Sequence, residues 1–268
     1  MNDVQKVVFE SFRYFADICE KLNLEYYLVN GSALGAVKYG GFIPWDDDLD
    51  VGMPRKDYEI FIEKAGEYLP ENLFLQNYRT DKRFPHLYSK LRNSDTAFIE
   101  NGVKHLDMNH GIYMDIFPLD SADASFLNNK INSLNIKILF WFSFSSLDDR
   151  ANLKIRFRNS VLRFMGFHKR TDRALKKLDN FVCGTDSGSL YLCNFADRQG
   201  KGKILRKWYG NGSNCIFEGI SVKIPENYND YLTYKYGDWK KELPVGQQKS
   251  HHTAIVCDTK KSYKDYQN

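Results

Sequence analysis

Four aspartates fall within five positions, Asp46, Asp47, Asp48 and Asp50, at the mouth of an apolar run that begins with Val51. Carboxylates crowded against a core repel one another and lose hydration, so such a cluster needs positive charge beside it. A divalent cation is the simplest source. Acid and apolar residue alternate through Asp48, Leu49, Asp50 and Val51. On a strand this puts Asp48 and Asp50 on one side and Leu49 and Val51 in the core. Two carboxylates on one side suit bound Mg²⁺. Asp46 has the same parity but lies nearer the loop, and Asp47 is expected to face away. A calcium loop shares the Asp-x-Asp-x-Asp opening, yet its sixth position would be Val51 in place of Gly and its twelfth Asp57 in place of Glu, which excludes it.

Further along, Asp115 stands between Met114 and Ile116 in an otherwise apolar strand, GIYMDIFP. A buried acid among apolar neighbours needs a partner, and the Asp48/Asp50 cation is the economical one if the two strands are adjacent. Lys90 and Arg92 share a face of another strand, HLYSKLRN, where they suit a diphosphate. Ahead of the acids, Gly31-Ser32 follows the β-prone EYYLVN and opens the helix-like SALGAVKYG. That order offers first-turn N–H groups and a hydroxyl to a phosphate, or serves as an N-cap.

These residues need elements to hold them. Residues 2–22 read as an amphipathic helix with Val4, Val8, Phe12, Phe15, Ile18 and Leu22 on one face and Asn2 with Gln5 as a capping box. Pro54 starts a second helix carrying Tyr58, Phe61 and Ile62 inward. Arg55 and Lys56 sit in its first turn, where the dipole disfavours cations, so they either face an anionic ligand or the aspartates or form a solvated pair. Strands follow between Leu73 and Pro118. Residues 123–182, poor in Gly and Pro, read as two or three helices that include the apolar run 136–145. Cys183 to Gly219 reads as irregular with short strand-like pieces, followed by a strand near Val222 and a helix ending at Tyr236. The adjacent His251 and His252 cannot easily both face one ligand and are expected to be structural.

Composition sets the frame. The chain has 268 residues, 43% of them hydrophobic and 15% aromatic, enough for a substantial core. Its five cysteines, Cys19, Cys183, Cys193, Cys215 and Cys257, contain no CxxC pair, so neither a disulfide framework nor a zinc knuckle is indicated and a reducing cytosol fits. No signal-peptide pattern opens the chain and no long apolar span occurs, which points to a cytoplasmic protein. The net charge is +4, but residues 150–177 hold ten Lys/Arg against Asp172 alone, so that segment carries +9 and the remainder −5. Mixed with Phe157, Leu162, Phe164, Met165 and Phe167, these cations suit adsorption to an anionic membrane surface on its inner face, capture of a lipid-linked phosphate, or a solvated helix. No nucleic-acid-binding module accompanies them, so no specific nucleic-acid partner is expected.

Taken together, Gly31-Ser32, the stretch GAVKYGGFIPWDDDLDVGMPRKDY, GIYMDIFPLD and the closing YLTYKYGDWKKELP with KSHH resemble the LicD family of phosphotransferases, which is also similar to the fukutin-related protein group. The resemblance covers the first 120 residues and roughly the last 50. It implies an α/β (α+β) fold, a nucleotidyltransferase-like mixed β-sheet flanked by helices with a helical insertion: a core at 1–120, a basic helical insertion at 121–205 and a C-terminal segment at 206–268 that completes the site. It also implies transfer of a phospho-alcohol, most often phosphocholine from a CDP-choline donor, to a glycan acceptor, free or lipid-linked, such as a teichoic acid, lipopolysaccharide or capsule precursor. Glycerol- or ribitol-phosphate transfer and CTP-dependent nucleotidyl transfer are the alternatives. Matched by position, Asp48, Asp50 and Asp115 would be catalytic and would hold Mg²⁺, or Mn²⁺ in its place, with Asp115 as ligand or general base. Gly31, Ser32, Lys38 and Asp46 would bind substrate by the same match, beside Lys90 and Arg92 from the strand-face reading above; Lys38 stands where the family usually has Arg.

Overall fold

The computed structural model describes residues 1–123, 130–143, 153–183, 188–195, 203–250, 252 and 254–266. Helix α1 (Asp3–Lys21) begins with the expected capping box. The Gln5 N–H donates to Asn2 Oδ1 at 2.8 Å and the Asn2 N–H to Gln5 Oε1 at 2.9 Å. Val8, Phe12, Phe15 and Ile18 recur at helical spacing and are buried. Then come β1 (Tyr27–Leu28), α2 (Asn30–Tyr39), β2 (Asp50–Pro54), α3 (Arg55–Lys64), β3 (Leu73–Gln76), β4 (Ser89–Asn93), β5 (Ala97–Glu100) and β6 (Ile112–Ala122). The middle of the chain forms α4 (Lys130–Ser143), α5 (Leu153–Phe164) and α6 (Thr171–Val182). The rest supplies β7 (Tyr191–Cys193), β8 (Lys203–Leu205), α7 (Arg206–Tyr209), β9 (Ser213–Phe217), β10 (Ile220–Ile224), α8 (Tyr228–Tyr236) and β11 (Ala254–Asp258).

The main sheet is mixed, in the order β1-β2-β6-β4-β3. Only β2 and β6 are parallel among these neighbours; the other pairs are antiparallel. Beyond the end of β4, the long β6 pairs with β7, which in turn carries β8. Two further ladders, β9–β10 and β5–β11, lie outside this sheet. Val51, Leu91, Met114 and Ile116 are fully buried on one side of the sheet, beneath α1 and α3, whose Phe15 and Phe61 rings meet at 4.9 Å. Their neighbours in sequence necessarily turn to the other side.

Two expectations need correction. The stretch from Cys183 to Gly219 holds the expected short strand pieces as paired strands, β7, β8 and all of β9, and adds the one-turn helix α7, so it is less irregular than it reads. Strands of three residues are too short to show a period-two pattern, and only pairing defines them, β7 with β6 and β8 with β7. Strand β2 also begins at Asp50, later than the alternating acids implied, so Asp46 to Leu49 are loop. Residues 144–145 of the apolar run, Arg150 of the basic segment, and His251 lie outside the described residues. Among the described residues no helix is long and apolar enough to cross a membrane.

Candidate active site

Register aligns one row of polar side chains across four strands. Asp50 of β2 is opposite Asp115 of β6, Asp115 opposite Lys90 of β4, and Lys90 opposite Gln76 of β3. The expected adjacency of the Asp50 and Asp115 strands is therefore present, with the Asp115 N–H donating to Leu49 O at 2.8 Å. Asp115 also has a partner within the protein: Lys90 Nζ lies 2.6 Å from its Oδ1. The ammonium sits over the Tyr113 ring, 3.2 Å from its centroid.

Asp50 is fixed from three directions by the strand-turn-helix ahead of it. Its N–H donates to Ser32 Oγ at 2.8 Å, its carbonyl accepts from the Val29 N–H at 3.0 Å, and its Oδ2 accepts from Asn30 Nδ2 at 2.9 Å. Asn30 makes the last contact from a left-handed backbone at φ 51°, a conformation Asn tolerates better than most residues. Helix α2 begins there, so Gly31 and Ser32 occupy its first turn. A Cβ on Gly31 would come within 2.9 Å of Asp46 Oδ2, so the glycine makes room for the acid loop. The same capping glutamine that starts α1 holds this loop from behind, with Gln5 Nε2 donating to Asp46 O at 2.8 Å and Ile43 O at 3.2 Å.

The largest departure from the sequence expectation lies at Asp47 and His252. Among the described residues, the acidic or histidine group whose ligand atoms all come within 4.8 Å of one another is Asp47, Asp48 and His252. His252 Nε2 is 2.8 Å from Asp48 Oδ2, and its Nδ1 is 3.2 Å from the Tyr113 hydroxyl and 3.6 Å from Glu100 Oε1. Asp47 Oδ2 accepts from Ser250 Oγ at 2.7 Å, while its Oδ1 is buried without a hydrogen-bond partner. Asp47 does not face away, because strand parity does not govern a loop. His252 arrives because Ala254 pairs with Glu100 at the start of the β5–β11 ladder, two residues downstream. A buried, unsatisfied carboxylate oxygen beside a second carboxylate and an imidazole is a donor set that fits a divalent metal.

The electrostatics follow from this crowding. Burial, then the charges of Asp48 and Asp115, push the Asp50 carboxyl well above the usual carboxylate range. Burial and the neighbouring Asp48 raise Asp46 to about 7. Asp48 goes the other way: burial opposes its ionisation, but the hydrogen bond and charge of His252 outweigh it. Burial likewise disfavours the imidazolium, yet the hydrogen bonds to Asp48 and Glu100 raise His252 to about 11. For Asp115 and Lys90, burial dominates and shifts each toward its neutral form.

A cavity of about 660 Å³ opens between α2, the acid loop and residues 236–252. Asp46, Asp48, Asp50 and His252 line one part of it, and Tyr39, Trp45, Tyr236 and Trp239 another. Gly31 and Lys38 also line it, and Lys38 additionally fastens the C-terminal segment. Its Nζ donates to Lys241 O at 2.8 Å and lies 3.2 Å from Glu242 Oε1. Arg92 shares a strand face with Lys90 but points its guanidinium elsewhere, donating to Gln76 Oε1 and, at 2.6 Å, to Gly111 O. Arg55 is held by carboxylates outside the aspartate cluster. It forms a two-pronged pair with the buried Asp120 at 2.7 and 2.8 Å and reaches Asp179 of α6 at 3.0 Å.

Sequence reasoning missed Asp47, Glu100 and His252. A dihistidine pair read in isolation hid the last, and its only local signal is the strand-like AIVC that follows it. Comparison with known proteins adds an independent line. Over 272 residues the chain is 24% identical to the lipopolysaccharide cholinephosphotransferase LicD of Haemophilus influenzae, covering 94% of this chain and 96% of that protein. A segment of 48 residues is 42% identical to the human ribitol 5-phosphate transferase FKRP, covering 18% of this chain and 10% of that one. An uncharacterised protein of Rickettsia prowazekii also matches over 48 residues at 42% identity, 18% of each chain. Residues 23–148, which contain Gly31, the acid loop, Lys90 and Asp115, match the LicD/FKTN/FKRP nucleotidyltransferase domain.

Proposed function

We propose that this protein transfers a phospho-alcohol, phosphocholine from CDP-choline, onto a hydroxyl of a cell-surface glycan precursor. The observation that carries this proposal is the meeting of Asp46, Asp48, Asp50 and His252 with an aromatic wall around one cavity of about 660 Å³, within the range of small-molecule sites. Asp48 is the shared ligand in our assignment, with Asp50 and Asp115 on the sheet side and Asp47 and His252 on the loop side. Mg²⁺ or Mn²⁺ held there would offset the charge of the donor diphosphate. First-turn amides of α2 at Gly31 and Ser32 lack intrahelical carbonyl partners and favour a phosphate beside them. Lys38 and Asp46 border the same space.

In the transfer, the acceptor oxygen forms a bond to the phosphorus bearing the alcohol, and the bond from that phosphorus to the bridging oxygen breaks. CMP leaves with the electron pair. Asp115 is assigned to orient the site as a ligand or to take the acceptor proton, and Lys90 holds that carboxylate in place. Tyr39 and Trp45, whose rings lie 6.2 Å apart edge to face, offer aromatic surface for a trimethylammonium group. The match to a ribitol 5-phosphate transferase over 48 residues favours ribitol phosphate as the second candidate.

A panel of CDP-choline, CDP-ribitol, CDP-glycerol and CDP-ethanolamine with Mg²⁺, scored by thermal unfolding, separates these donors. A ligand at a hundred times its Kd stabilises by about 2.7 kcal/mol. CDP-choline is expected to give the largest rise in Tm. A larger rise with CDP-ribitol would reassign the alcohol, and pyrophosphate release from CTP would make the protein a nucleotidyltransferase.

A further inference from the structure

Helix α5 is inside out. At about 100° per residue, Leu153, Phe157, Val161 and Phe164 fall within about 80° of one another on the helix surface. They are exposed to 81, 73, 41 and 95%. Asn159 and Leu162, on the opposite side, are buried. Cations border the apolar stripe on both flanks, Lys154 and Arg158 on one and Arg156 and Arg163 on the other. Helix α4 adds to the same region: Arg158 lies over the Trp141 ring at 5.6 Å, and Trp141 is itself 46% exposed.

We propose that the outward face of α5, with Trp141 of α4 beside it, adsorbs to the headgroup layer of an anionic lipid bilayer. Charge selects this occupant. Residues 153–177 carry nine Lys/Arg and one acid, Asp172, so two copies of the face would repel each other. A nucleic acid would meet the cations and leave Phe157 and Phe164 in water. A bilayer takes both, since the phenyl rings enter the boundary of the acyl region while Lys and Arg reach the lipid phosphates. The face is also coupled to the nucleotidyltransferase domain. Helix α6 packs on α4, buries Leu175 and Leu178 against Leu87, and ties Asp179 to Arg55 of α3. This inference stands independently of the donor alcohol.

Flotation of the full chain with vesicles tests it. Binding is expected to phosphatidylcholine vesicles containing phosphatidylglycerol and not to pure phosphatidylcholine. Phe157→Ser with Phe164→Ser is expected to lower the bound fraction at least about tenfold with Tm unchanged, because both rings are already in water. Lys154→Glu with Arg156→Glu, one on each flank of the stripe, is expected to abolish the preference for anionic vesicles. Equal flotation of the serine variant and the parent would overturn the proposal. So would a parent that ignores anionic vesicles, or one that elutes as a dimer while the serine variant elutes as a monomer.

Discussion

His252 Nε2 lies 2.8 Å from Asp48 Oδ2 although 204 residues separate them in the chain. The contact closes the acid loop against the C-terminal segment, so a cluster that begins near the N-terminus is completed only when β11 pairs with β5. Glu100, at the end of β5, stands on the far side of the imidazole at 3.6 Å and is held down to about 2, where hydrogen bonding to His252 and the Lys90 charge outweigh its burial.

His252→Ala is therefore expected to keep the fold and weaken metal binding. Loss of an outer-shell partner costs about 10–100-fold in metal affinity, and loss of a member of the donor set is expected to cost at least as much. Titration of Mn²⁺ followed by thermal unfolding reads it directly; an unchanged midpoint would remove His252 from the site.

The metal-free protein should become less stable as pH rises from about 5 to 8, and divalent metal should flatten the fall. Asp46 is raised from 3.8 to about 7, so the folded state binds a proton that the unfolded chain has already lost, and stability drains away through that window. His252, raised from 6.5 to about 11, acts in the same direction above its unfolded value. Asp48, whose pKa is lowered, contributes no slope there. Tm measured across this range with EDTA and with Mg²⁺ gives the comparison, and parallel curves would contradict it.

Asp120→Ala should destabilise without touching the acid cluster. It strips the two-pronged partner from Arg55, which is only 10% exposed, and a broken buried pair costs about 3–5 kcal/mol. At about 2–4 °C per kcal/mol for a chain of this size, Tm should fall by roughly 6–20 °C. A change within about 1 °C would show that Glu59 and Asp179 suffice for Arg55.

Much of this fold is legible in the sequence wherever periodicity is long enough to see. The capping box and apolar face of α1, the helix after Pro54 and the apolar strand around Asp115 all stand where their patterns indicate. Short elements defeat this reasoning: β7 and β8 have three residues each and exist through pairing. At the site, the sequence shows only that Asp50 and Asp115 each border apolar strand residues; their adjacency is supplied by the parallel pairing of β2 with β6. Asp47 was misread because parity was applied to a loop, and His252 because nothing near it in sequence records the β5–β11 ladder. Arg92 shows the limit of strand-face reasoning, since it shares a face with Lys90 and still serves Gly111.

The decisive measurement is CMP release from CDP-choline by the purified protein with Mg²⁺ and a glycan acceptor, compared with Asp48→Asn and Asp50→Asn. Both carboxylates border the cavity, and each asparagine keeps the size of the side chain while removing its charge. Release by the parent that is lost with EDTA and falls at least about a thousandfold in either variant is the expected result. Full activity in either variant, or turnover indifferent to EDTA, would contradict a metal-dependent transferase built on Asp48 and Asp50.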